Sequence, residues 1–487
     1  MSRTMDPPGT LAGDPGHEGD EDYAKSLSNR QVRMIAIGGA IGVGLFLGAG
    51  GKLAAAGPGL ILSYAVCGIA AFFVMRALGE LVLHRPTAGS FVSYAREFIG
   101  PWAGFASGWL YWLNWAMTGV AETTAVGIYV HRWLPGVPQW MVALAALVVL
   151  LTVNLLSVRL FGELEFWFSV IKVLAIVTFL VVGLGLVLTA AGVGHEHASP
   201  ANLTAHGGFL PRGLPVVLMS LQAVVYAYSG IEMVGIAAGE TQHPRRVMPR
   251  AINGVIWRIG IFYVGSVILL AMVLPWTAYS AGESPFVTVF SRLGVPGAGD
   301  IMNAVVLTAA LSSCNSGLYA TGRILRSLSR RGEAPEFAGR MNARHVPYGG
   351  ILFTAIVLTL GVGLNYAVPK MAFDIATSAS ALGVVAVWGT LVWCQLRLRA
   401  AANRGEVARP SFRMPGAPVT NWLTLAFLAV VVVLMPFADE ANQIAFWCLP
   451  VVVVVLFAGW RVVRRRLTPA TGPVPPTPAG PPRSPRS

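Results

Sequence analysis

Apolar residues recur along this chain in long runs, neither alternating with period two nor confined to one-sided helical stripes. Twelve runs approach or exceed the roughly 20 residues needed to cross the hydrocarbon core of a bilayer. They cover residues 34–53, 58–82, 102–130, 139–157, 166–190, 214–239, 251–274, 301–328, 348–367, 373–395, 420–437 and 443–461. The pattern predicts an all-α integral membrane protein with twelve transmembrane helices. Two runs are interrupted alike. In Met34–Gly50, the glycines Gly38, Gly39, Gly42, Gly44 and Gly48 fall mid-span; in Val216–Gly239, Tyr226, Ser229, Gly230 and Glu232 do. Backbone amides inside a bilayer have no water to bond, so a broken helix survives only beside protein or a water-filled cavity. Matching breaks in two halves of a membrane chain point to a substrate site near the midplane.

Composition supports this reading. Of 487 residues, 55% are hydrophobic and 12% charged, against about 25% charged in soluble domains. Residues 1–30 are polar, acidic and rich in Pro and Gly, with no apolar core of a cleaved signal peptide. The first apolar run is therefore expected to act as an uncleaved signal. Residues 466–487 form a Pro-rich tail predicted to be disordered, leaving 31–465 as the transmembrane domain. The four cysteines, Cys67, Cys314, Cys394 and Cys448, lie singly in apolar stretches and read as small buried residues.

The net charge of +13 could suggest nucleic acid, but its placement argues otherwise. With both termini on the cytoplasmic side, the inner loops collect Arg76, Arg85, Arg96, Arg159, Arg245, Arg246, Arg250 and the arginines from Arg323 to Arg344 and Arg397 to Arg413. The outer loops hold only Lys52, Arg132, Arg212, Arg292 and Lys370. Positive residues favour the inside, so the basic balance orients the chain in a plasma membrane and draws it to anionic lipid. No basic soluble domain is present to bind nucleic acid.

Within the spans this reading finds the charges Glu122, Lys172, Glu232 and Arg258. Each costs about 3 kcal/mol at a helix centre by insertion scales. Arg258, two turns into its helix, can snorkel; the other three call for a partner or a role. His195 and His197 share an outer loop without further ligands, so no metal is expected, and no cofactor.

Several motifs carry a family resemblance. The stretch Ile41-Gly42-Val43-Gly44-Leu45-Phe46 resembles the unwound first helix of the amino acid–polyamine–organocation superfamily, and within it the bacterial amino acid transporter family. Gly57-Pro58, Gly79-Glu80, Pro86, Gly162-Glu163, Glu165-Phe166-Trp167-Phe168 and Ile171-Lys172 add to the match. So do Gly239-Glu240-Thr241 and Pro249-Arg250-Ala251-Ile252-Asn253, and the likeness covers residues 28–465. It implies two inverted five-helix repeats, with broken helices 1 and 6, plus two added helices. It also implies proton-coupled uptake of an amino acid by alternating access. Relatives carry D-serine, D-alanine, glycine, lysine, GABA or proline on the same scaffold.

Each candidate residue has a plain and a functional reading. Gly42-Val43-Gly44 could serve close helix packing, and it imitates a dinucleotide fingerprint, but no strand precedes it. At an unwound half-helix, free amides and the positive dipole end suit a substrate carboxylate; free carbonyls there and around Tyr226–Ser229 suit an ammonium. Tyr226 matches an aromatic residue that covers substrate in relatives, and Ser229 and Gly230 mark the second break. Glu232 either caps exposed amides or titrates. Thr118 and Glu122, one turn apart, share a helix face, and the family often has an acidic residue at the latter. Lys172 matches a lysine that, in proton-coupled relatives, replaces the cation of sodium-coupled ones, with Ser312 and Ser313 in the region facing it. Asn315 could read a side-chain amide. The expected substrate-binding set is thus Ile41, Gly42, Val43, Gly44, Thr118, Tyr226, Ser229, Gly230 and Asn315. Proton coupling falls to Lys172, Glu122, Glu232, Ser312 and Ser313.

Other functions fit less well. A channel would show repeated filter residues and subunit symmetry. An enzyme would need clustered nucleophiles, metal ligands or a phosphate loop, and no G-x-x-x-x-G-K-S/T occurs. A non-transporting amino-acid sensor with the same ancestry is the remaining alternative.

Overall fold

A computed structural model describes residues 41–86, 90–156, 158–233, 235, 248–250, 252–254, 257 and 259–467. The expectations for residues 34–40, Gly239-Glu240-Thr241, Arg258 and the tails at 1–30 and 468–487 lie outside these residues.

Each predicted apolar run coincides with helix among the described residues. The first opens with a π-type turn, Gly44–Gly48, continued by α1 (Ala49–Ala56). Gly57-Pro58-Gly59 separates it from α2 (Leu60–His84), since proline at the second position cannot continue a hydrogen-bonded ladder. The short α3 (Ser90–Phe98) leads to α4 (Pro101–His131), α5 (Gln139–Leu156) and α6 (Val158–Leu188). A two-stranded hairpin, Gly192–Val193 with Glu196–His197, carries His197 in the loop after α6. The sixth run is the pair α7 (Gly213–Met219) and α8 (Leu221–Ala227). The seventh ends in a π-type turn, Ile259–Gly265, and α9 (Ser266–Val273). After α10 (Pro285–Ser291) come α11 (Ala298–Arg330), α12 (Tyr348–Ala367), α13 (Ala372–Asn403), α14 (Val419–Leu434) and α15 (Glu440–Leu467).

Among the described residues, nine helices are long and apolar enough to cross a membrane. The first two predicted spans fall within one of the nine, Gly44–His84, and two others miss that measure for opposite reasons. α4 is 31 residues long but carries Asn114, Thr118, Glu122, Thr123 and Thr124, all buried. Gly213–Ala227 is apolar but stops short, because the chain turns at Tyr228–Glu232.

The polar helix sits where its polarity can be satisfied. α4 packs most extensively against α11 and α13, so its buried hydroxyls and amides meet protein instead of lipid. At the periphery the pattern inverts: α15 exposes Val451, Val453, Val454, Val455 and Phe457, as a lipid-facing helix should. Cys448 on this helix is exposed, whereas Cys67, Cys314 and Cys394 are buried; the burial expected for it fails because its helix borders only one side of the bundle.

The Arg-rich end is tied across the sequence. Glu80 on α2, fully buried, accepts from Gln395 Nε2 on α13 (2.8 Å), Arg409 Nε (2.8 Å) and the Met414 amide (2.9 Å). Arg96 reaches both oxygens of Glu333 at 2.6 and 2.8 Å. At the opposite end the ion pairs are more exposed, Lys52 with Asp439 and Arg132 with Asp300.

Candidate functional site

Where the breaks of the first and sixth runs meet, the main chains nearly touch. A Cβ on Gly44 would stand 2.5 Å from Ala227 Cα and 3.1 Å from Ala227 N, so only glycine permits this crossing. Ile41 and Gly42 are non-helical and the helix begins at Val43, which leaves its first amides without intrahelical acceptors. On the other side α8 ends at Ala227, and Gly230, at φ 89°, turns the chain. That left-handed conformation is one only glycine adopts freely.

A small cavity lies against this crossing. Its walls are Gly42, Gly44, Trp115, Thr118, Glu122, Tyr226, Ala227, Ser229 and Ser313. Of the expected set, Gly42, Gly44, Thr118, Glu122, Tyr226, Ser229 and Ser313 thus converge from four segments distant in sequence. The free space for centres of water-sized spheres is about 10 Å³, about one water molecule, so the walls must move apart before an amino acid fits.

The polar groups here divide into satisfied and unsatisfied. Thr118 Oγ1 and Ser380 Oγ are 2.8 Å apart, and Ser380 donates to Asn114 Oδ1 at 2.6 Å. Glu122, only 1% exposed, has the Val43 amide and the Ser313 hydroxyl as hydrogen-bond partners. A Cβ at Gly42 would come within 2.8 Å of Glu122 Oε1, so the first glycine of the Gly42-Val43-Gly44 motif makes room for this carboxylate. Glu122 Oε2, Tyr226 Oη, Ser229 Oγ and Trp115 Nε1 have no hydrogen-bond partner among the described residues. Buried polar atoms are nearly always paired in folded proteins, and four unpaired ones around a single cavity mark a place where a polar ligand can complete them.

Behind the cavity lies a second polar cluster. Lys172 on α6, fully buried, has its Nζ 3.9 Å from Glu165 Oε1. Ser312 on α11 donates to both Glu165 oxygens, at 2.8 and 2.9 Å. Lys172 also acts electrostatically on Glu122, so one ammonium influences two carboxylates. Glu165 is a correction to the intramembrane charges expected from sequence. Reading the fifth span from residue 166 left it at an edge, whereas the helix starts at Val158 and places it two turns in, fully buried. The seven-residue spacing to Lys172 puts the two on one helical face, a signal the sequence did contain. Trp115 was also missed, although 115, 118 and 122 likewise share a face of α4.

Seven expected residues, Ile41, Val43, Lys172, Gly230, Glu232, Ser312 and Asn315, lie off the cavity wall. Asn315 Oδ1 accepts from Asn154 Nδ2 at 2.8 Å, a structural bond between α5 and α11. Ser312 serves Glu165. The Gly230 amide donates to Glu232 Oε1 at 3.3 Å, so Glu232 braces the turn while its second oxygen has no hydrogen-bond partner among the described residues. Ile41 is buried in the apolar core. Tyr228, beside Tyr226, packs structurally: its hydroxyl donates to the Tyr64 carbonyl and its ring stacks on Tyr263.

Comparison with known proteins agrees with this architecture. The amino acid permease family matches residues 31–471. The chain is 55% identical over 450 residues to the L-asparagine permease of Escherichia coli, covering 92% of this chain and 90% of that one. It is 52% identical over 466 residues to the L-asparagine permease of Streptomyces coelicolor, with 95% of each chain covered. L-asparagine permease 1 of Mycobacterium tuberculosis is 55% identical over 447 residues, 91% of each. The strings LNWAMTG (113–119), RHVPYGGIL (344–352), NYAVP (365–369) and MPGAPVTNWLTL (414–425) are where the sequence itself suggests this narrower likeness. A multi-pass membrane protein with its two interrupted helices crossing at a polar cavity, this chain belongs to the amino acid permease family.

Proposed function

We propose that this protein imports L-asparagine together with protons across the plasma membrane, by alternating access. The observation that carries the reading is the cavity at the crossing of the two breaks. It offers the amides at the start of the helix, the Val43 one held by Glu122, hydroxyls from Tyr226 and Ser229, and an ionisable carboxylate, with a buried Lys172 behind. Such a set suits a zwitterion that must be held without water. The choice of L-asparagine rests on the names of the relatives, which match nearly the whole chain. Alternating access is supported by the cavity's small volume, because substrate can neither enter nor leave without the walls shifting.

Twelve spans in two inverted repeats also agree with the helix lengths. α2, α4, α5 and α6 run 25, 31, 18 and 31 residues; their counterparts, 248–273, α11, α12 and α13, run 26, 33, 20 and 32. The same sequence of lengths recurs, after an interrupted helix in each half. The arginine asymmetry supports a cytoplasmic position for both termini and the Arg-rich end. Cysteine labelling from outside should reach position 283 and not 331 or 404; the reverse pattern would overturn the orientation.

The test of function is counterflow of labelled amino acids in proteoliposomes, with and without an imposed pH gradient. Exchange of L-asparagine and its accumulation down the proton gradient are expected. Binding without counterflow would make the protein a sensor, and preference for glycine, D-serine or GABA would reassign the substrate.

A further inference from the structure

The amides that suit a substrate carboxylate are not idle. Glu122 takes the Val43 amide and the Ser313 hydroxyl, seated in the space that Gly42 leaves. We propose that Glu122 acts as an internal surrogate for the substrate's own carboxylate, so that an amino acid takes this seat only when Glu122 carries a proton. The inference rests on the transport reading above and specifies how its proton is tied to its substrate.

The argument is electrostatic. Two ionised carboxylates cannot share one desolvated anion seat, and such pairs resolve the conflict by holding a proton between them. Lys172 does not relieve it, because it already lies beside Glu165, whose oxygens are fixed by Ser312. With Lys172, Glu165 and Glu122 all ionised, the cluster carries a net −1, and a zwitterion leaves that unchanged. One proton neutralises it. The other polar and titratable neighbours of Glu122 are Tyr129 on its own helix, Tyr226 on α8, and Ser313 and Cys314 on α11; none adds a positive charge. Glu122 Oε2 has no hydrogen-bond partner among the described residues and lines the cavity, which is where an added proton would sit and point.

The exchange balances simply. Glu122 takes one proton from water on the outer side and releases the Val43 amide to the incoming carboxylate. It then donates its new O–H to that carboxylate. On the inner side the substrate leaves, the proton returns to water, and the carboxylate recaptures the amide. Coupling is one proton per amino acid, because a single seat admits a single anion.

The full chain in lipid nanodiscs provides the test, with labelled L-asparagine as the probe. On the alkaline side of the Glu122 transition, where every uptake measurement is made, wild-type protein should take up one proton per asparagine bound, read with a pH-indicator dye. Its affinity should weaken about tenfold per pH unit on the alkaline side of the transition. Glu122→Gln should bind asparagine with no proton uptake and no pH slope, and in proteoliposomes should exchange without concentrating. Binding by wild-type protein with no proton uptake would overturn the proposal whether or not the variant folds. So would a Glu122→Gln protein that keeps the pH slope, or one that loses binding equally at every pH, since then the carboxylate serves the substrate ammonium. Those outcomes leave wild-type counterflow intact, whereas absence of counterflow for every amino acid tried removes the transport reading itself.

Discussion

Glu80 and Glu122 are both buried carboxylates in the helical bundle, and their surroundings could hardly differ more. Glu80 accepts from Arg409, Gln395 and the Met414 amide, and neither oxygen is left without a donor. Glu122 has one oxygen engaged and one unpartnered, facing a cavity. A carboxylate with a donor on each oxygen is a fastening, and it ties α2 to α13 and to the segment around 409–414. A carboxylate with an open oxygen has a second state available, because a proton or ligand can be added without breaking anything. Burial alone does not separate a structural acid from a working one; the completeness of its hydrogen bonding does.

The largest expected effect comes from closing the crossing beside Glu122. Gly44→Leu should reduce uptake to background while the protein still inserts, because its Cβ has no room against the Ala227 main chain. Normal uptake by that variant would show that the two breaks do not meet in the working protein.

Next comes the charge behind the cavity. Lys172→Ala leaves Glu165 buried without its counter-charge, which should destabilise the protein by about 3–5 kcal/mol, read as a lowered thermal denaturation midpoint in detergent. Adding Glu165→Gln to that variant should restore much of the stability but not proton-driven accumulation. If the double variant concentrates substrate normally, Lys172 is a structural pin and the comparison loses its electrostatic half.

Glu80→Gln sharpens the contrast directly. Loss of its charge-assisted bond to Arg409 should cost about 1–3 kcal/mol, with the pH dependence of substrate binding unchanged. Glu122→Gln should do the opposite, shifting pH dependence with little change in thermal midpoint. Equal behaviour of the two variants would mean that the open oxygen carries no information. The smallest effect is expected at Lys52→Ala, whose partner Asp439 is 44% exposed; such surface pairs contribute about 0–1 kcal/mol.

The sequence legibly marked the places where its own local rules fail. Glycines at mid-span, a glutamate in an apolar helix and a lysine without a visible partner each contradict the demands of a bilayer, so each stood out without coordinates. Glu165 and Glu80 did not stand out. The first sat at the assumed edge of a span, and the second owes its role to Arg409, 329 residues away. Asn315 shows a different limit: its amide suits a substrate amide chemically, but Asn154 already holds its oxygen while its Nδ2 has no hydrogen-bond partner among the described residues, and residue type cannot reveal which partner a side chain has found.

Sequence by itself determined the class of the protein, because transfer of apolar length and charge into lipid is a sum over residues and needs no partners. It therefore gave the helical runs, their interruptions and the arginine asymmetry. Only the tertiary structure decided which breaks cross, which hydroxyls reach Glu165, and which oxygen of Glu122 stays open. Those depend on contacts between segments hundreds of residues apart, within the few tenths of an ångström that separate a made hydrogen bond from a missing one.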